Sequence, residues 1–350
     1  MITSALTHSP VFAICGYSGA GKTTLILDLI GRLSARGLGT LVVKHDAHGL
    51  DVDMPTKDTD RFFRAGADVW ARDVQQVFVR RHDDDEGLVG LLARAQRRYD
   101  VILVEGYKAT PLPNKLWLRR HARDTAPSVA KPVALDLGRD DDRGDLAWLW
   151  LEGRLANMHA QAPTFAGILV GGRSSRMGRD KHLLLDRGQT WLTRIESAVR
   201  PLVEGVVLLG SGPAPRSRAD LVRLPDAPGR AGPVAGMCAA MRWHPTARWI
   251  FLPCDAPLLS TDALAWLKQQ ARPGVWAVHP RLSGRARPEP LPGWYDPRAA
   301  AVLELAAGPS YLAQHPRTIS PLAPRERARD FLGCNNPAER RRLLGHKPIY

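Results

Sequence analysis

Gly16-Tyr17-Ser18-Gly19-Ala20-Gly21-Lys22-Thr23 is a glycine-rich run closed by a lysine and a hydroxyl residue. Glycines at this spacing let backbone N–H groups turn inward on phosphate oxygens. Lys22 can then reach the β- and γ-phosphates of a nucleoside triphosphate, and the Thr23 hydroxyl can ligate Mg²⁺. The expected nucleotide-binding set is Gly16, Gly19, Gly21, Lys22, Thr23 and Thr24. A second run, Leu169-Val170-Gly171-Gly172-Arg173-Ser174-Ser175-Arg176-Met177-Gly178-Arg179-Asp180-Lys181, is of another kind, because its lysine lies far from its glycines. Gly171-Gly172 admits a base and ribose against the backbone, while Arg176 and Lys181 fall where they can meet a triphosphate. The first run reads as a nucleoside-triphosphate grip and the second as a nucleotidyl-transfer grip.

Mg²⁺ takes hard oxygen ligands, so acids that end apolar runs are the candidates. Glu105 closes Val101-Ile102-Leu103-Val104 in the form of a Walker-B element. It would hold Mg²⁺ through water or orient an attacking water; the alternative is a helix-capping glutamate. Asp46 follows Thr40-Leu41-Val42-Val43-Lys44 and could lie near the same ion. His45 and His48 flank it, but their spacing is not that of a zinc helix and no third ligand is near. In the second half Asp255 closes Trp249-Ile250-Phe251-Leu252-Pro253-Cys254, where it could bind Mg²⁺ bridging triphosphate oxygens. Its alternative is a helix N-cap. Asp226, ahead of the loop Gly229 to Gly236, is a nucleotide contact or a plain turn residue.

The elements needed to position these groups are legible. Val11 to Cys15 is wholly apolar, as in a parallel strand covered on both faces. Leu25, Ile26, Leu29, Ile30 and Leu33 then recur at helical spacing, with Gly37 as a stop. Strand, glycine-rich loop and helix arrive in P-loop order. Thr164 to Val170 repeats the strand before the second loop, and Val234 to Arg242 reads as a helix after Gly232. Leu146, Leu149, Trp150 and Leu155 predict a helix over 145–156 that closes the first unit. Asn157 to Pro163 is polar and aperiodic, and reads as the linker. The expectation is α/β throughout: a P-loop domain over 1–157 and a Rossmann-like nucleotidyltransferase domain over 164–350.

A chain of 350 residues suits two cores better than one. Its net charge of +14 is carried mostly by arginine, which suits phosphate. The cations are spread and broken by acids such as Asp83-Asp84-Asp85-Glu86, unlike a nucleic-acid-binding face. Cys15, Cys238, Cys254 and Cys334 form no CxxC pair and read as reduced, buried thiols. No apolar stretch nears the ~20 residues of a membrane span, and the first residues lack a signal-peptide pattern. The expected setting is cytoplasmic, with no nucleic acid and no membrane as partner.

The first-half motifs resemble a known family. The P-loop, Lys44-His45-Asp46 with His48, Lys57-Asp58, Ala65-Gly66-Ala67 and Val104-Glu105-Gly106-Tyr107-Lys108 are similar, over about residues 10–155, to the adaptor proteins of molybdopterin-guanine dinucleotide biosynthesis (MobB). The resemblance implies a GTP-binding domain with weak GTPase activity, and a homodimer formed through it. Thr56 stands where that family usually has glycine.

The second half, about 164–345, resembles the molybdenum cofactor guanylyltransferases (MobA). The likeness rests on the long loop, Asp226, Gly232-Pro233, Ala235-Gly236, Cys254-Asp255-Ala256-Pro257 and Phe331-Leu332-Gly333-Cys334-Asn335-Asn336-Pro337. It implies that Leu169, Val170 and Gly171 line a guanine pocket with Gly172 in the nucleotide-binding set, that Lys181 and Asp226 contact GTP, that Asp255 binds Mg²⁺ and that Asn335 helps hold the pterin. Arg176, Lys181 and Asp255 form the implied catalytic set. The implied reaction joins Mo-molybdopterin and GTP to give the guanine dinucleotide cofactor and pyrophosphate, with molybdoenzymes or cofactor-delivery proteins as transient partners. Three positions differ from the family pattern: Gly333 and Asn336 replace Asn and Thr, Gly210-Ser211-Gly212 replaces an expected Asn, and Arg287-Pro288 replaces His-Pro. The alternatives are a cytidylyltransferase, whose group usually shows Ala-Gly at Gly171-Gly172, and a non-catalytic GTP-binding chaperone of the cofactor.

Overall fold

The computed structural model describes residues 9–44, 53–54, 57–82, 87–171, 181–215 and 218–345. The chain divides into two compact units, Met1–Met158 and His159–Tyr350.

In the first unit β1 (Val11–Gly16) is buried along almost its whole length and runs into the glycine-rich loop. α1 (Lys22–Ala35) follows and buries Leu25, Ile26, Leu29 and Leu33, the stripe that the helical spacing predicts. The unit continues with β2 (Thr40–Lys44), α2 (Asp58–Arg64), β3 (Val69–Arg72), β4 (Val77–Arg80), α3 (Gly87–Ala95), β5 (Val101–Glu105), β6 (Lys115–Leu118) and β7 (Leu135–Leu137). Five strands form a parallel sheet in the order β2-β5-β1-β6-β7. β1 is therefore central, which is why every one of its side chains can be apolar. β3 and β4 make a separate antiparallel hairpin.

α4 (Arg143–Gln161) runs through most of the segment that reads as a linker. Polarity alone does not end a helix. Nothing in Asn157-Met158-His159-Ala160-Gln161 breaks one, and the first breaker is Pro163.

The second unit opens with β8 (Thr164–Leu169), β9 (Leu185–Asp186), β10 (Gln189–Thr190) and α5 (Trp191–Val199). It continues with β11 (Gly205–Leu209), β12 (Val222–Leu224), α6 (Pro233–Trp243), β13 (Arg248–Pro253) and α7 (Thr261–Gln269). β14 (Ala277–Val278), β15 (Gly293–Tyr295), α8 (Ala299–Leu303), β16 (Thr318–Ile319) and α9 (Pro337–Leu344) complete it. The seven-stranded sheet has the order β12-β11-β8-β13-β15-β14-β16. β12, β11, β8 and β13 are mutually parallel, and β15 is antiparallel to both β13 and β14. Leu169, Leu209 and Pro253 lie in register, so the loops after β8, β11 and β13 leave from one edge. Ligands in open α/β sheets bind at that edge.

His279 lies fully buried in this unit with both ring nitrogens lacking hydrogen-bond partners. Burial pushes its pKa down to about 4 from an ordinary 6.5. The neutral ring belongs to the folded state, so the unfolded chain binds the proton more readily between those values. Stability is then full above pH 6.5 and falls on acidification toward pH 4, by about 3 kcal/mol from this residue. Urea titrations at pH 7 and pH 4.5 should show the loss, and His279→Phe should reduce its size.

Candidate functional site

β1 delivers the first loop with three glycines at positive φ: Gly16 at 152°, Gly19 at 75° and Gly21 at 88°. Gly16 is also fixed by space, since an added Cβ would lie 2.7 Å from the Leu118 carbonyl oxygen on the neighbouring strand. Lys22 Nζ donates to the Tyr17 carbonyl at 3.0 Å, folding its ammonium over the loop. Thr24 lies exposed in the first turn of α1. The loop's inner side is braced by Arg143, which donates to the carbonyls of Ala20 at 2.9 Å and Gly138 at 2.5 Å, and to that of Arg119.

Thr23 and Glu105 meet. The Thr23 hydroxyl donates to Glu105 Oε1 at 3.4 Å, across 82 residues. The register Ile14↔Glu105 produces this, because β5 ends beside the start of the loop. The chain leaves Glu105 through Gly106 (φ 92°) and Tyr107 (φ 48°) without starting a helix, so Glu105 is not a helix cap. A hydroxyl and a carboxylate side by side fit Mg²⁺, which commonly takes one or two protein oxygens and completes its shell with phosphate and water. Asp46, His45, His48 and Thr56 lie outside the described residues.

In the second unit the shared sheet edge assembles a separate group. Lys181 Nζ lies 3.0 Å from Asp255 Oδ2 and 3.0 Å from Asn335 Oδ1. His182, buried beside it, is held by the Pro213 carbonyl at 2.7 Å and so anchors the lysine's backbone. Asp255 sits in the turn after β13, and its carbonyl accepts from Cys334 N at 2.7 Å. The cap of α7 is Ser260, whose side chain accepts from Ala263 N, so Asp255 is not a cap either. Its carboxylate is another oxygen donor suited to Mg²⁺ on a triphosphate. A cavity of ≈ 200 Å³ opens beside it, with Arg285, Glu289, Gly333, Asn335 and Arg342 in its lining.

The residues expected to line a nucleoside pocket lie where β8 and β11 end. Val170 is buried, and its backbone N–H donates to the Leu209 carbonyl on the neighbouring strand at 2.9 Å. A Cβ at Gly212 would lie 1.7 Å from the Val170 carbonyl oxygen, so only glycine fits. Gly210 faces Gly171 closely, and Asp226 Oδ1 would lie within 3.8 Å of a Cβ at Gly210 and 3.6 Å of one at Gly236. Asp226, exposed, thus borders the Gly171–Gly210 side, while Lys181 reaches Asp255 and Asn335. Leu169 packs on the same Gly236. Gly172 and Arg176 lie outside the described residues.

The late motif gains a structural account. Asn336 is the N-cap of α9: its Oδ1 accepts from Glu339 N at 2.9 Å and its Nδ2 donates to Glu339 Oε1 at 2.9 Å. Asn and Thr are both good N-caps, so this replacement keeps the turn. Asn336→Thr should leave thermal stability nearly unchanged, whereas Asn336→Ala should cost about 1 kcal/mol, readable from the unfolding midpoint. Gly333 lies against Asp255, where an added Cβ would be 3.3 Å from Oδ1.

Cys15, Cys238 and Cys334 are buried, while Cys254, expected buried, is half-buried because it lies just past the end of β13. Burial pushes Cys15 up to about 11, and burial with the charge of Asp255 does the same for Cys334. Neither is a thiolate at neutral pH. Among the described residues no cluster of three His, Cys, Asp or Glu side chains could hold a metal ion, and no helix is long and apolar enough to cross a membrane.

Sequence reasoning missed Arg143 and Arg120 in the first unit and His182 in the second. Arg120 follows the end of β6, beside the P-loop strand. The carboxyl-edge rule applied to Lys115–Leu118 would have found it.

Fold and geometry define a P-loop nucleotide-binding unit followed by a nucleotidyltransferase-type α/β unit. Residues 11–135 match the family model described as molybdopterin guanine dinucleotide synthesis protein B, and residues 166–324 match the MobA-like NTP transferase domain. The chain is 35% identical over 127 residues to the molybdopterin-guanine dinucleotide biosynthesis adapter protein of Haemophilus influenzae, covering 35% of this chain and 71% of that one. It is 42% identical over 120 residues to the molybdenum cofactor guanylyltransferase of Rhizobium meliloti, covering 32% of this chain and 55% of the relative. It is 30% identical over 143 residues to the molybdenum cofactor biosynthesis bifunctional protein of Synechocystis, covering 40% and 41%. The chain belongs, through its first unit, to the molybdopterin-guanine dinucleotide biosynthesis adapter family, and it carries a MobA-like NTP transferase domain in its second. It spans about half the length of the Rhizobium guanylyltransferase.

Proposed function

We propose that the second unit transfers GMP from GTP to Mo-molybdopterin, releasing pyrophosphate, and that the first unit is a fused GTP-binding adaptor with weak GTPase activity. The observation that carries the transfer reading is Lys181, held between Asp255 and Asn335 at the edge where β8 and β13 end. The two domains follow the two compact units, the setting is the cytoplasm, and the first unit pairs with a second copy.

The chemistry follows from charge. An oxygen of the acceptor's terminal phosphate forms a bond to the α-phosphorus of GTP, the bond from that phosphorus to the β-phosphate oxygen breaks, and pyrophosphate leaves. Two anions must approach, so neutralisation is the main task. Lys181 moves from its carboxylate partner to the triphosphate, and Arg176 is the second cation of the expected set. Asp255 would hold Mg²⁺, which supplies charge neutralisation between triphosphate oxygens when bound. The cavity beside Asp255 receives the acceptor, with Arg285 and Arg342 as its cations and Asn335 at the junction. Gly171-Gly172 leaves room for a purine. Thr23 and Glu105 would hold the second Mg²⁺, on the P-loop nucleotide.

The test offers GTP, CTP and ATP in turn, with Mg²⁺ and molybdate-loaded molybdopterin, and measures pyrophosphate. Release with GTP alone is expected. Release with CTP would replace the base assignment and keep the mechanism. No release from folded protein that binds GTP would leave a non-catalytic chaperone.

A further inference from the structure

Two cations rest on neighbouring carbonyls of the P-loop. Lys22 Nζ lies 3.0 Å from the Tyr17 carbonyl, and Arg120 Nη1 lies 3.4 Å from that of Ser18. A P-loop lysine reaches the β- and γ-phosphates, and Arg120 stands one carbonyl along the loop from it. It arrives there from 102 residues away because Leu118, the last residue of β6, pairs with Gly16.

The guanidinium is oriented beforehand. Asp124 accepts from Arg120 Nε at 2.9 Å and from its backbone N at 3.1 Å. That bond holds the Asp124 carboxyl below the usual range. The Tyr17 ring stands 5.2 Å from the guanidinium, and Trp117 meets that ring edge-on at 5.4 Å. The preceding Arg119 is committed elsewhere, gripping Asp136 at 2.7 and 2.6 Å. A 3.4 Å bond to a neutral carbonyl is weak, and a phosphate oxygen is a stronger partner for arginine.

We infer that Arg120, oriented by Asp124, is a second cation for the terminal phosphate of a nucleoside triphosphate on the P-loop, and sets its preference for triphosphate over diphosphate. This rests on the reading of the first unit as a GTP-binding domain. Lys22 alone would face the β- and γ-phosphates together; Arg120 adds a contact that a diphosphate cannot make.

The experiment uses the full chain carrying Lys181→Ala, which weakens the second unit's nucleotide site. It titrates β,γ-imido-GTP and GDP in Mg²⁺ buffer. Arg120→Ala should weaken imido-GTP by about tenfold or more and GDP by less than about twofold, as expected for one charge-assisted hydrogen bond. Retained GDP affinity reports an intact loop. Asp124→Asn should shift the ratio in the same direction, and Arg120→Lys should restore part of it, keeping the charge without the fork. Equal weakening of both nucleotides would reduce Arg120 to a brace for Ser18 and overturn the inference, as would no change in either. Lys22→Ala separates the two failures. If it abolishes binding while Arg120→Ala is silent, only the Arg120 assignment falls. If imido-GTP still binds to Lys22→Ala, the P-loop reading falls and takes the inference with it.

Discussion

Asp255→Asn should nearly abolish pyrophosphate release while leaving the second unit folded. Asparagine keeps the size of the side chain and removes its charge. Lys181 then loses the carboxylate that lies 3.0 Å from its ammonium, and the site loses the oxygen anion proposed to hold Mg²⁺. Removing one such stabiliser costs roughly 10²–10³ in rate. The fold has little to lose, because the asparagine amide oxygen can still accept from the Lys181 ammonium and leaves no unpaired donor. The backbone role of Asp255, accepting from Cys334 N, survives the change. Near-wild-type turnover with an unchanged unfolding midpoint would sink the proposed role of Asp255.

Lys22→Ala should remove GTP from the first unit and spare basal transfer by the second. Lys22 is the P-loop lysine proposed to meet the phosphates, and truncating one partner of a desolvated charge pair costs about 3 kcal/mol, or roughly 10²-fold in affinity. A GTP titration of the full chain should lose one of two binding phases. Slow release of inorganic phosphate should vanish, while pyrophosphate release with the pterin acceptor continues. If transfer disappears as well, the first unit is more than an adaptor and its nucleotide state is coupled to the second site.

Much of both sites was legible because their signals are local. Gly16 to Thr23 and its flanking strand and helix lie within one short stretch, and their chemistry follows from residue type and spacing. The same holds for Glu105 and Asp255, each at the end of an apolar run. The linker was misread because polarity marks exposure, and α4 passes through Asn157–Gln161 as an exposed or half-exposed helix. Asn336, where the family pattern has Thr, is a helix cap, and that role depends on Glu339 three residues on.

The sequence by itself determined the two α/β units, the type of each phosphate-handling loop and the acids that face them. Those are properties of short segments, governed by backbone freedom at glycine and by apolar periodicity. Only the tertiary structure decided which distant groups meet. Lys181 reaches Asn335 across 154 residues, Thr23 reaches Glu105 across 82, and Arg120 reaches Ser18 across 102. Strand order and register set those meetings. Hydrogen bonding between strands fixes which strand ends share an edge, and no local pattern encodes that pairing.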